Sequence, residues 1–307
     1  MLNLLLFQQI AKLFILIFLG WAIVRAGILK SEDSKTLSMI LLYIITPCVC
    51  ISGFQVERTA ENSQMVELAL LSALVMNGLC ILLGALAARL FHLDVVEEAS
   101  IQYPNAGNLI IPLVSFIFGS EWVMYVTVYA MIQTILDWTH ARILISGKKE
   151  ISLRDLVCNV NILAIAIGLF LFAFQIRLPA VIRSAFAMAG NTMGPVAMLI
   201  IGMLMADMDM QHLRSYRQLW KPVLLRLIVL PVILVCVAKY SGLAALAPHG
   251  ETLIIISLLS VIAPSANIVP QFSQMFGRDA LYASLINTVT MLLCIITMPL
   301  MITLFQM

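Results

Sequence analysis

The sequence predicts an all-α polytopic membrane protein, with ten transmembrane helices arranged as two inverted five-helix repeats. Three observations support this prediction. The 307-residue chain is 62% hydrophobic and only 11% charged, far from the composition of soluble domains. Apolar stretches of about 20 residues, long enough to cross a bilayer, recur from end to end. Two of them are interrupted at corresponding places in the two halves, which makes helices four and nine broken crossover helices.

The predicted spans follow the apolar stretches in chain order. Their ranges are 4–24, 36–54, 66–88, 99–118, 121–145, 158–175, 181–206, 220–240, 251–276 and 280–304. The first span lacks a basic leader and a small-residue cleavage site, so it is expected to be retained. The predicted domains are a first five-helix repeat, a cytosolic linker and a second, inverted repeat, over residues 1–145, 146–157 and 158–307.

The centre of span four contains the first break, over residues 103–112. Pro104 and Pro112 each remove a backbone donor and disturb the preceding turn. Gly107 loosens the chain between them. A helix broken at bilayer depth is tolerated only where it is buried in protein or lines a wet cavity. The break is therefore expected to be buried in protein or to line a wet cavity.

Span nine contains a second break, about 160 residues later. Pro264, Ser265, Asn267 and Pro270 repeat the order of proline, polar residue, asparagine and closing proline. Paired broken spans in corresponding halves indicate the binding site of a transporter. Because each repeat has an odd number of spans, the second copy is expected to lie upside down relative to the first.

The polar groups of the two breaks are the candidate ligand contacts. Each break frees backbone N–H groups at the start of a half-helix, where partial positive charge suits a carboxylate. The side chains that can also donate are those of Asn105, Asn108, Ser265 and Asn267. The structural alternative is that these groups only satisfy the broken backbone.

Span five carries two candidate coupling residues, Asp137 and His140. A carboxylate within an apolar helix is costly and usually faces the interior of the bundle. Together with His140 it is a candidate site for a coupling proton or cation. Alternatively, Asp137 pairs with Arg142 or water and is structural. Arg226 in span eight is expected to lie close enough to the cytosolic end to reach water.

The charges in the loops predict the orientation. Odd-numbered loops hold twelve Lys and Arg residues and even-numbered loops hold four, so the odd loops are expected in the cytosol. Both termini are then expected outside. No basic run suggests a nucleic-acid partner, and no His/Cys cluster has metal-ligand spacing. Neither a metal, a cofactor nor a catalytic residue is predicted.

Three segments carry a family resemblance: residues 104–112 in span four, 190–204 in span seven and 264–270 in span nine. With them, essentially the whole chain resembles the auxin efflux carrier family, which includes plant auxin carriers and bacterial malonate-type carriers. The resemblance implies a crossing of spans four and nine, with Pro104, Asn105, Pro112, Pro264, Asn267 and Pro270 at the crossover.

The resemblance also implies a mechanism and a location. Spans three to five and eight to ten would move like an elevator against a scaffold of spans one, two, six and seven. The protein would be a homodimer in the bilayer of the bacterial cytoplasmic membrane. One departure concerns span three, where plant carriers pair an acid with a lysine and this chain offers only Asn77.

The predicted function is secondary active transport, or facilitated movement, of a small organic anion such as a mono- or dicarboxylate. H⁺ or Na⁺ coupling stays open. One alternative is a sodium-coupled anion symporter of bile-acid-carrier architecture. Another is a membrane sensor or transferase, for which Asp207 and Asp209 would form an acidic pair. No His-Glu-x-x-His or Gly-x-Ser-x-Gly motif indicates a hydrolase.

Overall fold

The computed structural model describes residues 15–148, 158–206 and 217–307, and these are largely helical, with no β-strand among them. We label the helices in chain order. Their bounds are α1, Ile15–Arg25; α2, Ser31–Gly53; α3, Ala60–Phe91; α4a, Val95–Gln102; α4b, 106–117; α5, 123–146; α6, Val160–Ala173; α7, Ala180–Ala206; α8, Trp220–Tyr240; α9a, Gly250–Val261; α9b, Ile268–Met275; and α10, Ala280–Gln306.

The described helices have the length and composition of membrane spans. Among them α2, α3, α7, α8 and α10 are long and apolar enough to cross a membrane, and α1, α6 and α9a are shorter apolar helices. The chain is therefore a helical membrane protein. The predicted acidic pair Asp207 and Asp209, and most of the predicted linker 146–157, lie outside the described residues.

Helix α3 is longer than the apolar stretch that predicted it, over residues 66–88. It begins six residues earlier because Thr59 caps its first turn, accepting a hydrogen bond from the Asn62 backbone N–H at 3.0 Å. It ends where His92 takes a left-handed conformation, with φ of 50°. Capping therefore extends the helix into polar sequence, which hydropathy alone does not detect.

The chain divides into two compact units, each built from both halves of the sequence. The first comprises the described parts of Met1–Arg58, Ile111–Met124 and Asn159–Met210. The second comprises those of Thr59–Ile110, Tyr125–Cys158 and Gln211–Met307. This division differs from the two predicted repeats, which are consecutive in sequence.

The first unit contains α1, α2, α6 and α7, together with residues 111–124. Its helices α1 and α7 approach each other at glycines. A Cβ on Gly20 would collide with the backbone of Leu199, and one on Gly202 with the backbone of Ile17. These contacts require glycine because any side chain would force the two backbones apart.

The second unit contains α3, α4a, most of α5, and the helices from α8 to α10. Helix α4a begins with a capping box, in which Asp94 and Glu97 each accept a hydrogen bond from the other's backbone N–H. Glu97 is buried and also accepts a hydrogen bond from the Tyr282 hydroxyl of α10, at 2.6 Å. Both predicted breaks are present, between α4a and α4b and between α9a and α9b.

Candidate functional site

The two helix breaks contact each other within the second unit. Pro104 and Ser265 form an isolated antiparallel bridge. The Asn105 N–H donates to the Pro264 carbonyl, and the Ala266 N–H donates to the Tyr103 carbonyl, both at 2.8 Å. The backbone N–H and carbonyl groups freed in one break thus hydrogen-bond to those of the other. A helix break at bilayer depth needs such partners. We call these paired segments, residues 103–105 and 264–266, the crossover.

Side chains from α5 and α10 satisfy the remaining groups of the crossover. Gln133 Nε2 donates to the Pro104 carbonyl at 2.5 Å. Asn287 Nδ2 donates to the Ser265 carbonyl at 2.6 Å, and Thr290 Oγ1 accepts from the Ser265 N–H at 3.1 Å. The fifth span of each half therefore supplies an amide to the break of its own half.

Arg226 holds the carbonyl ends of the two half-helices that enter the crossover. Its Nη1 donates to the Ile101 carbonyl at 2.9 Å, at the end of α4a. Its Nη2 donates to the carbonyl of Val261, the last residue of α9a, and its Nη2 and Nε donate to that of Ala263, all at 2.6–2.9 Å. The expectation that Arg226 reaches water is wrong, since the side chain is only 1% exposed.

The buried charge of Arg226 is offset by helix ends. The C-terminal carbonyl groups of a helix carry partial negative charge, which favours a cation there. Within the described chain, no carboxylate forms an ion pair with Arg226. Four half-helix ends therefore meet at the crossover. Arg226 hydrogen-bonds to the carbonyl ends of α4a and α9a, and the other two are the N–H ends at which α4b and α9b begin.

The predicted ligand residues differ in what their side chains contact. Asn105 is 5% exposed, and no described residue hydrogen-bonds to its side-chain amide. Asn267 precedes α9b and is half-buried; its Oδ1 accepts from Asn287 Nδ2 at 3.1 Å and does not cap the helix. Ser265 is fully buried, and its hydroxyl has no partner among the described residues. Asn105 and Ser265 therefore differ from Asn267, whose side chain is engaged by Asn287.

The remaining residues of the breaks lie in the half-helices that follow. Gly107 and Asn108 belong to the π-helical turn Ala106–Ile110, and a Cβ added to Gly107 would meet no atom within 4 Å. Pro112 is buried and belongs to the first unit, since the chain passes between units after Ile110. Pro270 is half-buried in α9b.

The candidate coupling residues lie in a second π-helical turn, Asp137–Ala141 of α5. The ring of His140 hydrogen-bonds through Nδ1 to the hydroxyl of Tyr103, which begins the first break. Asp137 is half-buried, and its Oδ1 has no partner within the described chain. The structure thus joins His140 to the crossover directly.

Several residues of the site were not predicted from the sequence, namely Tyr103, Gln133, Arg226, Asn287 and Thr290. Gln133 and Asn287 had one detectable signal. Each is an amide in the last span of its half, and a polar side chain in an apolar helix usually faces the protein interior. Arg226 had the same signal, but its distance from a predicted span end suggested water instead.

One known protein family matches almost the whole chain. A family model described as membrane transport protein matches residues 5–302. A comparison with curated proteins finds no match.

Proposed function

Because the chain belongs to the auxin efflux carrier family of membrane transport proteins, we propose that it moves a small organic anion across the bacterial cytoplasmic membrane. It acts as a secondary active transporter or facilitator, and its substrate is a mono- or dicarboxylate. The observation that carries this proposal is the crossover, beside which the Asn105 amide lacks a partner among the described residues. Such half-helix N-termini suit a carboxylate.

The electrostatics of the second unit support an anion in particular. The N–H ends of α4b and α9b carry partial positive charge. Arg226 offsets the partial negative charge of the two carbonyl ends at the same crossover, and no carboxylate of the described chain forms an ion pair with it. In a surrounding of low dielectric such charges act strongly, so an anionic group is favoured over a cationic one.

The proposed mechanism is an elevator in which the second unit moves against the first. The first unit contains α1, α2, α6 and α7, and the second contains α3, α4a, most of α5 and α8 to α10. This division supports the scaffold and moving parts implied by the family, except that residues 111–124 belong to the scaffold side.

The arrangement of two inverted five-helix repeats is part of the same proposal. It is supported by the equivalent roles of Gln133 and Asn287, which donate to carbonyl groups of Pro104 and Ser265. We further propose outward-facing termini from the loop charges, a homodimer from the family, and His140 with Asp137 as the site of any coupling ion.

The proposed function is tested by transport in proteoliposomes. Purified protein should accumulate or equilibrate radiolabelled malonate, and unlabelled mono- or dicarboxylates should compete. Competition only by cations or neutral lipids would contradict the proposal. Repeating uptake with a proton gradient, a sodium gradient and no gradient separates coupled transport from facilitated movement.

A further inference from the structure

Arg226 is the most unusual charged residue of the described chain. It lies in the π-helical turn Leu225–Val229 of α8 and is almost completely buried. Each of its side-chain nitrogens donates to a carbonyl group near the crossover, and Nη1 also lies 3.4 Å from Cys80 Sγ. Its hydrogen bonds are thus made within the protein, so Arg226 is a positioning residue rather than a direct ligand of the substrate.

The partners of Arg226 are the groups that bind a coupling cation in other carriers. In sodium-coupled transporters, unwound carbonyl groups and the C-terminal ends of half-helices coordinate the ion. Here the carbonyl groups of Ile101, Val261 and Ala263 point at a guanidinium instead. Because arginine stays protonated in proteins, this positive charge is permanent.

We infer that the Arg226 guanidinium is a built-in cation that takes the place of a bound sodium ion at the crossover. It joins the carbonyl ends of α4a and α9a and keeps the two half-helices paired without any ion from solution. The consequence for transport, which rests on the proposed function, is that uptake of the anion does not require sodium.

A thermal-stability experiment tests the structural part without a substrate. The melting temperature Tm of the purified wild type is expected to be equal in NaCl and in choline chloride at the same ionic strength. Arg226→Ala is expected to melt several degrees lower. Low millimolar guanidinium should raise its Tm, because the ion can enter the vacated carbonyl site. Arg89→Ala, which removes an exposed arginine at the end of α3, is the matched control and should show neither effect.

Two further measurements keep the inference testable if Arg226→Ala fails to fold. Arg226→Lys keeps the positive charge with fewer hydrogen-bond donors, so it should fold with a Tm below those of wild type and Arg89→Ala, and sodium should not raise that Tm. The wild-type comparison of salts requires no variant. Stabilisation of the wild type by sodium specifically, or an Arg226→Ala protein with the Tm of the control, would overturn the inference.

Uptake of radiolabelled malonate into proteoliposomes tests the consequence for transport. The initial rate is expected to stay unchanged when choline replaces sodium on both sides. A rate that requires sodium would contradict the inference. Absence of malonate uptake in both salts would count against the proposed substrate class, whereas the Tm measurements would still decide the role of Arg226.

Discussion

Asn105 lies in the first break and Asn267 in the second, and their side chains have different surroundings. The amide of Asn105 has no partner among the described residues, whereas Asn267 accepts a hydrogen bond from Asn287. A polar group that lacks a protein partner is available to a ligand without breaking an existing bond. The two residues are therefore expected to respond differently to substitution.

Asn105→Ala is predicted to weaken substrate binding and to leave stability nearly unchanged. Loss of a hydrogen bond to a charged group costs about 1.5–3 kcal/mol, or roughly ten- to a hundredfold in affinity. Affinity is measured by competition with radiolabelled malonate, and stability by Tm. Asn267→Ala should lower both, because it also removes the partner of Asn287.

The control for this pair is Ser72→Ala. Ser72 is fully buried in α3 and shares a hydrogen bond of 2.8 Å with Ser257 of α9a. Its removal should cost about 1 kcal/mol of stability and leave affinity unchanged. Equal loss of affinity in Ser72→Ala and Asn105→Ala would show that both act through stability alone.

Gly107→Leu is predicted to block binding without lowering Tm. A side chain added to Gly107 meets open space in the described chain, and leucine favours helical backbone by up to about 1 kcal/mol over glycine. The added bulk would occupy space next to the first break. Gly78→Leu is the matched control, because Gly78 is an exposed helical glycine of α3 with equally open surroundings. Normal malonate affinity in Gly107→Leu would contradict a ligand beside this turn.

At the scale of elements, the prolines decide whether spans four and nine are broken. The structure contains both breaks at the first proline of each predicted segment, Pro104 and Pro264, because the effect of proline on a helix is local. The closing prolines, Pro112 and Pro270, lie within the half-helices that follow. The partners of the broken backbone are not local. Arg226 and Ile101 are 125 residues apart, and Asn287 and Ser265 are 22 apart. The spacing of apolar residues along the sequence does not show which distant residues form hydrogen bonds. These partners are therefore identified only by the three-dimensional structure.

The double variant Pro104→Ala, Pro264→Ala is predicted to lose transport more than stability. Restored backbone donors favour continuous helices, which would remove the extended pairing of the crossover. Transport is measured as malonate uptake, and stability as Tm. Pro299→Ala in the unbroken helix α10 is the control and should transport normally. Full uptake by the double variant would show that the breaks are not central to transport.

The supporting helices can be tested separately from the breaks. Asn287→Ala removes the donors to the Ser265 carbonyl and to Asn267, and leaves buried acceptors unsatisfied. We predict a loss of about 1–3 kcal/mol in stability, seen as a lower Tm. Asn287→Gln should not restore it fully, since the longer side chain displaces the amide. A wild-type Tm for Asn287→Ala would argue against this support.

At the scale of the molecule, apolar length and composition predicted a helical membrane protein, and the described helices agree. The division into two compact units was readable only through the family resemblance. Periodicity shows which residues avoid water, but not which helices share a unit. Residues 111–124 illustrate this, because they belong to the first unit although the family implied that span four moves as a whole.

The orientation in the membrane is predicted from the loop charges. A reporter enzyme that is active only outside the cytosol should be active when fused after Met307 and inactive when fused after His92. The second fusion is the control, because it lies in an odd-numbered loop. Activity in the opposite pattern would invert the orientation. Equal activity of both fusions would mean a miscounted span and would contradict the inverted repeat.

The most direct test of the central claim, that the crossover binds a small organic anion, is ligand-induced stabilisation. Tm of the wild type and of Asn105→Ala is measured against a panel of carboxylates, including malonate, at constant ionic strength. At a hundredfold excess over Kd, binding contributes about 2.7 kcal/mol to stability. We predict that at least one carboxylate raises the wild-type Tm in a saturable manner, with a much smaller rise at equal concentration for Asn105→Ala. A panel without any saturable rise, or an equal rise in both proteins, would contradict the claim.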